Sequence, residues 1–322
     1  MNIRYAVLFK VHYWDDFAAR RLQHLLRKTA GGDVFVFVDE THGPVPEIPY
    51  DRVIRVTERD MTALDTVLYP KGKVFWYNVD YPLYYLYLRD KSYDYYLMSE
   101  HDAVFNIDVD RFVDMAHETN VDYVGFPLTK DAWPLLTCEG VYPANFKIEN
   151  WLSCISLHSR RSVEFLLKRR RELGRRYHAN EIKNWPNNEA FLPTEMQNND
   201  FVVRTLGDFG KVDRYSWWPP THERDLPLHE DQAFLHPVLD ERRYVTSCVR
   251  ESNLVSYFSP GSELRKMLLR ASSSALPAVL DELTRRIVRQ VTPAPLLQSV
   301  RRFRARNAGA FRRFLRRMTP AG

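Results

Sequence analysis

The order in which strand-like and helix-like patterns alternate near the amino end constrains this chain most. Residues 5–11 (Tyr-Ala-Val-Leu-Phe-Lys-Val) and 33–38 (Asp-Val-Phe-Val-Phe-Val) each read as a buried strand, and residues 15–29 between them carry apolar side chains at helical spacing. Strand, helix, strand favours parallel strands joined by crossover helices, because a helix laid back over the sheet returns the chain to the same edge. Gly31-Gly32 supplies the turn into the second strand. Residues 52–56 read as a third strand, 78–89 as a Tyr- and Leu-rich helix and 93–98 as a further buried strand. Residues 108–118 then read as a helix, 122–127 and 151–157 as strands, and 160–175 as a basic helix. After Arg176 the signal becomes irregular, with Asn, Pro and Trp in residues 184–188 and 217–220 marking long loops. The expected class is α/β, a mostly parallel sheet flanked by helices.

Charge divides the chain in two. From residue 264 to 322 there are 14 Lys and Arg against two acids, Asp281 and Glu282, a net of +12; with +5 overall, the remainder carries −7. We therefore expect a catalytic body over residues 1–262 and a basic helical tail over 263–322 that seeks an anionic surface. At 45% hydrophobic and 13% aromatic residues the chain has the apolar surface to fold, which excludes general disorder. No run approaches the ~18 apolar residues of a membrane span. Three widely spaced cysteines, Cys138, Cys154 and Cys248, make neither a disulfide framework nor a zinc ribbon, so a reducing cytoplasm is expected.

The strand over residues 93–98 runs into Ser99-Glu100-His101-Asp102. In open α/β sheets ligands collect beyond the carboxyl ends of the strands. Glu100 and Asp102, one residue apart in a tight turn there, can together hold a hard divalent cation, Mn²⁺ or Mg²⁺, whose remaining positions take water and diphosphate oxygens. Such an ion stabilises the charge gathering on a departing nucleoside diphosphate. The competing view of a Glu-x-Asp pair is a turn or helix-start feature that caps backbone N–H groups.

The stretch Tyr93-Asp94-Tyr95-Tyr96-Leu97-Met98-Ser99-Glu100-His101-Asp102-Ala103-Val104-Phe105 resembles the metal-binding strand end of GT-A-type nucleotide-sugar glycosyltransferases, with Glu-His-Asp in place of their usual Asp-x-Asp. Phe234-Leu235-His236-Pro237-Val238 is similar to the late histidine segment of that fold. The resemblance spans about residues 1–240 by order of elements. It implies a GT-A-like fold, a metal or diphosphate role for His236, a place near the nucleoside for Asp39, and a base pocket lined from Lys10, His12 and Asp15. It also implies an acceptor-side acid between the metal motif and the late histidine, where Glu189 and Glu195 are rivals for the catalytic base. Six residues apart with Pro193 between them, the two do not share one helix face.

Trp217 and Trp218 before Pro219-Pro220, with Trp133 and Trp151, are candidates to stack on sugar faces, although Trp151 in a strand suits the core better. Arg160, Arg161 and residues 168–171 read as a solvated helix face rather than a diphosphate clamp. In the tail, Leu296, Val300, Phe303, Phe311, Phe314 and Met318 form one helical stripe opposite Arg301, Arg302, Arg306, Arg312, Arg313, Arg316 and Arg317, with Arg304 intruding. Such a helix lies in the interface of an anionic bilayer; the alternative is a stripe packed on protein. Nucleic acid is not an expected partner, since the acidic body repels a polyanion.

The leading expectation is a metal-dependent glycosyltransferase, peripheral at the cytoplasmic membrane face. It would move sugar from a nucleoside-diphosphate-sugar donor to a glycan or lipid-linked acceptor in surface polysaccharide synthesis. The rivals are a non-catalytic nucleotide- or glycan-binding protein and a metal-dependent phosphohydrolase.

Overall fold

The computed structural model describes residues 3–128 and 133–291. Its strands are β1 (Tyr5–Val11), β2 (Asp33–Asp39), β3 (Val53–Val56), β4 (Tyr95–Glu100), β5 (Val104–Phe105), β6 (Tyr123–Pro127), β7 (Trp151–Ser159), β8 (Val203–Thr205), β9 (Thr221–His222), β10 (Phe234–Leu235) and β11 (Val238–Leu239). The helices are α1 (Asp16–Arg27), α2 (Val74–Tyr77), α3 (Tyr81–Arg89), α4 (Val109–Glu118), α5 (Trp133–Leu136), α6 (Arg160–His178), α7 (Asn188–Gln197), α8 (Glu241–Glu251), α9 (Glu263–Arg270) and α10 (Leu276–Val291). Packing groups them into two units, Met1–Asp240 and Glu241–Gly322. The expected boundary after residue 262 falls inside the second unit, just before α9.

Seven strands form the main sheet in the order β3-β2-β1-β4-β7-β6-β8. β1 pairs in parallel with β2 and β4, β2 with β3, and β6 with β8, while β7 is antiparallel to both β4 and β6. The sheet is therefore mixed: β7 alone runs the other way. Its first residues extend past the carboxyl end of β4, since Ser99 already faces Ile155.

Period-two alternation distributes the core. Tyr5, Val7, Phe9 and Val11 of β1 pack with Leu22 and Leu25 of α1 and with Val109, Phe112 and Val113 of α4. Ala6 and Leu8 face the opposite layer, with Leu83 of α3, Leu166 of α6 and Phe191 of α7. Each such buried Leu, Phe or Val contributes roughly 1.5–3 kcal/mol, so a one-residue slip of β1 would forfeit both layers. Caps set the helix starts: Asp15 accepts from Phe17 and Ala18 N–H, Asp108 from Arg111, Ser159 from Ser162 and Asn187 from Glu189. Gly32 has no room for a side chain, because a Cβ there would strike the Tyr5 ring.

Two expectations need correction. α6 is not simply a solvated basic face. Arg170 is fully buried, its Nε donating to Asp80 Oδ2 at 2.8 Å and its Nη1 to the Pro186 carbonyl at 2.8 Å, over the Phe191 ring. Arg160 reaches Asp94 and the Tyr93 carbonyl, and Arg171 the Leu64 carbonyl, so the run pins neighbouring segments. Secondly, the irregular stretch after Arg176 contains α7, a continuous helix with Pro193 inside it.

In the second unit, Val245, Cys248 and Val249 of α8, Leu264 and Met267 of α9, and Val279 of α10 form the buried side. Among the described residues no helix is long and apolar enough to cross a membrane. The amphipathic stripe expected over residues 296–318 lies outside the described residues.

Candidate active site

Alternation also brings two charges together at the sheet edge. Lys10 follows Ala6 and Leu8 on one face of β1, Glu100 follows Tyr96 and Met98 on β4, and the two residues are in register. Lys10 Nζ donates to Glu100 Oε1 at 2.8 Å and to the Phe75 carbonyl at 2.9 Å. Burial raises the Glu100 carboxyl, but Lys10 overrides it with charge and hydrogen bond, holding the group down at about 2. Glu100 is thus an anion at neutral pH with one oxygen on Lys10.

The turn after β4 closes with Ala103 N–H on the Glu100 carbonyl. β5 then pairs antiparallel with β10, Val104 opposite Leu235, and Val238 N–H donates to the Asp102 carbonyl. These bonds place His236, the residue after β10, beside Asp102. His236 Nδ1 lies 2.8 Å from the Ser216 carbonyl, which can only accept, so Nδ1 carries a hydrogen and Nε2 is the ring nitrogen turned toward Asp102. That Nε2 is 3.6 Å from Asp102 Oδ1, too far for a hydrogen bond. Among the described residues the buried Asp102 Oδ1 has no hydrogen-bond partner. Asp108, six residues on, caps α4.

From β7 comes a residue that sequence reasoning passed over. Ligand atoms of Glu100, Cys154 and His236 all lie within 4.8 Å of one another. Burial, reinforced by the charges of Glu100 and Asp102, pushes the Cys154 thiol well above its usual range. No spacing signal marks Cys154, because the apolar run Trp-Leu-Ser-Cys-Ile-Ser-Leu reads only as a core strand.

Glu100 and His236 open on a cavity of about 220 Å³, lined also by Trp76, Val79, Trp133, Leu152, Ser153, Cys154, Asn187, Asn188 and Glu189. Glu189 arrives on the first turn of α7, oriented by the Asn187 cap, and Asn187 is itself tied to the Tyr77 carbonyl at 2.9 Å. The other candidate base is elsewhere. Glu195 is fully buried, accepts from Arg169 Nε at 3.0 Å and does not line the cavity. Burial raises its carboxyl despite Arg169.

The remaining sequence candidates surround this centre unevenly. The His12 ring makes edge contacts with Tyr13 and His101, at centroid distances of 4.8 and 5.4 Å, which sets it beside the acidic turn. Burial and the nearby His101 and Lys10 lower His12 to about 4, so it is neutral at physiological pH. Asp15 is engaged as the α1 cap, and Asp39 Oδ1 accepts from Thr41 N–H at 2.9 Å at the end of β2. Trp217 is exposed and Trp218 half-buried, held by Ser216, and neither lines the cavity. Trp151 is buried in β7, as core.

The donor set tests whether a cation fits. Among the described residues the atoms that converge are a Glu100 carboxylate oxygen, the His236 imidazole and the Cys154 sulfur, with the Asp102 oxygen 3.6 Å from His236 Nε2, and this mixture of O, N and S donors departs from the all-oxygen shell that Mg²⁺ prefers.

No family model matches the chain, and no curated protein does. Among solved structures it is similar to apo mouse xyloside xylosyltransferase 1, at 7% identity and a TM-score of 0.41, over 73% of this chain and 97% of that one. It is also similar to a glycosyltransferase involved in the glycosylation of the major capsid of PBCV-1, at 12% identity and a TM-score of 0.37, over 72% of this chain and 92% of that one.

Proposed function

We propose that the protein transfers a sugar from a nucleoside-diphosphate-sugar donor to a hydroxyl of a glycan or lipid-linked acceptor, assisted by Mn²⁺ or Mg²⁺. One observation carries this reading: Glu100, His236 and Glu189 open on a single cavity at the carboxyl ends of β1 and β4, with the unpartnered Asp102 oxygen beside His236. Asp102, His236 and the second oxygen of Glu100 would hold the cation, which supplies Lewis-acid stabilisation of the departing diphosphate. Lys10 fixes Glu100 in place and adds a positive charge at the same edge. The nucleoside would lie toward His12, Asp15 and Asp39, beyond the ends of β1 and β2.

Glu189 is the better base because it lines the cavity, whereas Glu195 is committed to Arg169. In the transfer, the acceptor hydroxyl oxygen forms the bond to the anomeric carbon and its proton passes to the Glu189 carboxylate. The anomeric carbon–oxygen bond to phosphate breaks, its electron pair leaving on the diphosphate. The basic tail would hold the enzyme at an anionic cytoplasmic membrane surface, where surface polysaccharide is built on carriers.

Thermal-shift screening of nucleoside diphosphates and their sugars with and without Mn²⁺ checks the reading, because a ligand that favours the native state raises the melting temperature. A cation-dependent shift in the native protein, lost in Asp102→Ala together with turnover, is expected. Cation-dependent donor turnover that survives in Asp102→Ala removes this carboxylate from the mechanism, and phosphate release from simple esters without any acceptor would favour a phosphohydrolase.

A further inference from the structure

At the mouth of the same cavity two indoles stand together where the sequence gives no hint of a pair. Trp76, from α2, is 60% exposed, and Trp133, from α5, is 43% exposed. Their ring centroids lie 5.8 Å apart at an interplanar angle of 36°, and both line the cavity. Burying either against protein would recover apolar area, yet the fold holds both partly in water. It does so firmly. The Tyr77 ring meets Trp133 edge-on at 5.9 Å, the Tyr77 hydroxyl donates to the Trp185 carbonyl at 2.7 Å, and the Phe75 carbonyl accepts from Lys10.

Besides the indoles the lining mixes apolar Val79 and Leu152 with Ser153, Asn187, Asn188 and Glu189, which offer hydroxyl, amide and carboxylate groups. Lys73 Nζ, 5.6 Å from the Trp76 centroid, adds a donor at the rim. A ligand that suits this surface has an apolar face and a periphery of hydroxyls, which is the chemistry of a pyranose ring. The cavity is smaller than the roughly 300–1,000 Å³ of drug-sized ligand sites, consistent with one ring rather than an extended chain inside it.

We infer that Trp76 and Trp133 form a pyranose-stacking wall that presents a sugar ring to Glu189. Which sugar the wall holds, that of the acceptor or that of the donor, rests on the glycosyl-transfer reading; the stacking itself does not. Trp217 and Trp218 are not part of this wall.

Binding of a panel of methyl hexopyranosides, read by saturation-transfer NMR and tryptophan fluorescence without turnover, tests the inference. Binding of nucleoside diphosphate is compared with that of its sugars in the same proteins. Trp76→Ala and Trp133→Ala are each expected to weaken ring binding about tenfold, with Trp76→Phe and Trp133→Phe retaining most of it and Trp217→Ala unchanged. Weakening confined to free glycosides places an acceptor ring on the wall; weakening of nucleotide-sugar but not of bare nucleoside diphosphate places the donor ring there. Folded alanine variants, with unaltered melting temperature, that bind both sets of ligands as the native protein does would overturn the inference. Because binding is measured apart from catalysis, rings held by this wall in a protein that turns over no donor would sink the transferase reading alone.

Discussion

At the scale of single residues, the same burial that assembles the site also makes certain side chains pH-sensitive. His158, in the middle of β7, is completely buried with Nε2 3.1 Å from Ser156 Oγ and Nδ1 unpartnered. Desolvation lowers it from 6.5 to about 3. The folded protein therefore keeps His158 neutral while the unfolded chain protonates it below about 6.5. Its contribution to stability is full above that pH and is lost as pH falls toward 3, with a slope of up to about 1.4 kcal/mol per pH unit. His158→Leu should flatten that acid limb, measured by urea unfolding at a series of pH values between 7 and 4. His12, lowered to about 4 beside the acidic turn, leaves a smaller residual slope in the same direction. The residue scale is also where reading the sequence works least evenly. Glu100, Asp102 and His236 carry recognisable context, a strand end and a late histidine. Cys154 and Trp76 carry none, because a lone thiol in a core strand and a lone indole in a helix of one turn look like packing until neighbours are known.

Among elements, the junction of α3 with α6 depends on one buried ion pair. Arg170 donates through two nitrogens to Asp80, at 2.8 and 3.1 Å, and Tyr84 O–H also donates to Asp80 at 2.8 Å. Neither charge is exposed, so removing one partner leaves the other stranded. Asp80→Ala should cost about 3–5 kcal/mol by denaturant unfolding, whereas the exposed Arg285–Asp281 pair of α10 should be worth less than about 1 kcal/mol. Most strands and helices of the body were legible because each has its own period: alternation in β1 and β2, helical spacing in α1 and α4. α7 was not legible. Asn and Pro around it are turn signals, and its helix forms because Asn187 caps it and nearly every residue from Ala190 to Met196 finds a buried place. Tertiary packing there outweighs poor intrinsic propensity. That hidden helix is also what separates Glu189, toward the cavity, from Glu195, toward Arg169.

For the whole molecule, the division of charge is the feature to exploit. An acidic body and a tail of +12 invite different surfaces. Removing residues 294–322 should leave turnover with a water-soluble acceptor intact while weakening co-sedimentation with phosphatidylserine vesicles, each basic residue near such a surface contributing about 1 kcal/mol. Vesicle binding that is unchanged by the deletion rejects the anchoring role. Period and charge are local properties of a chain, so the sequence by itself determined that there would be an α/β body with an acidic strand end and a basic tail. The reversed direction of β7, the burial of Arg170, the separation of Glu189 at the cavity from Glu195 at Arg169, and the meeting of Trp76 with Trp133 were decided only by tertiary structure. Each depends on contacts between residues tens to more than a hundred positions apart, and such contacts leave no periodic trace in the sequence that makes them.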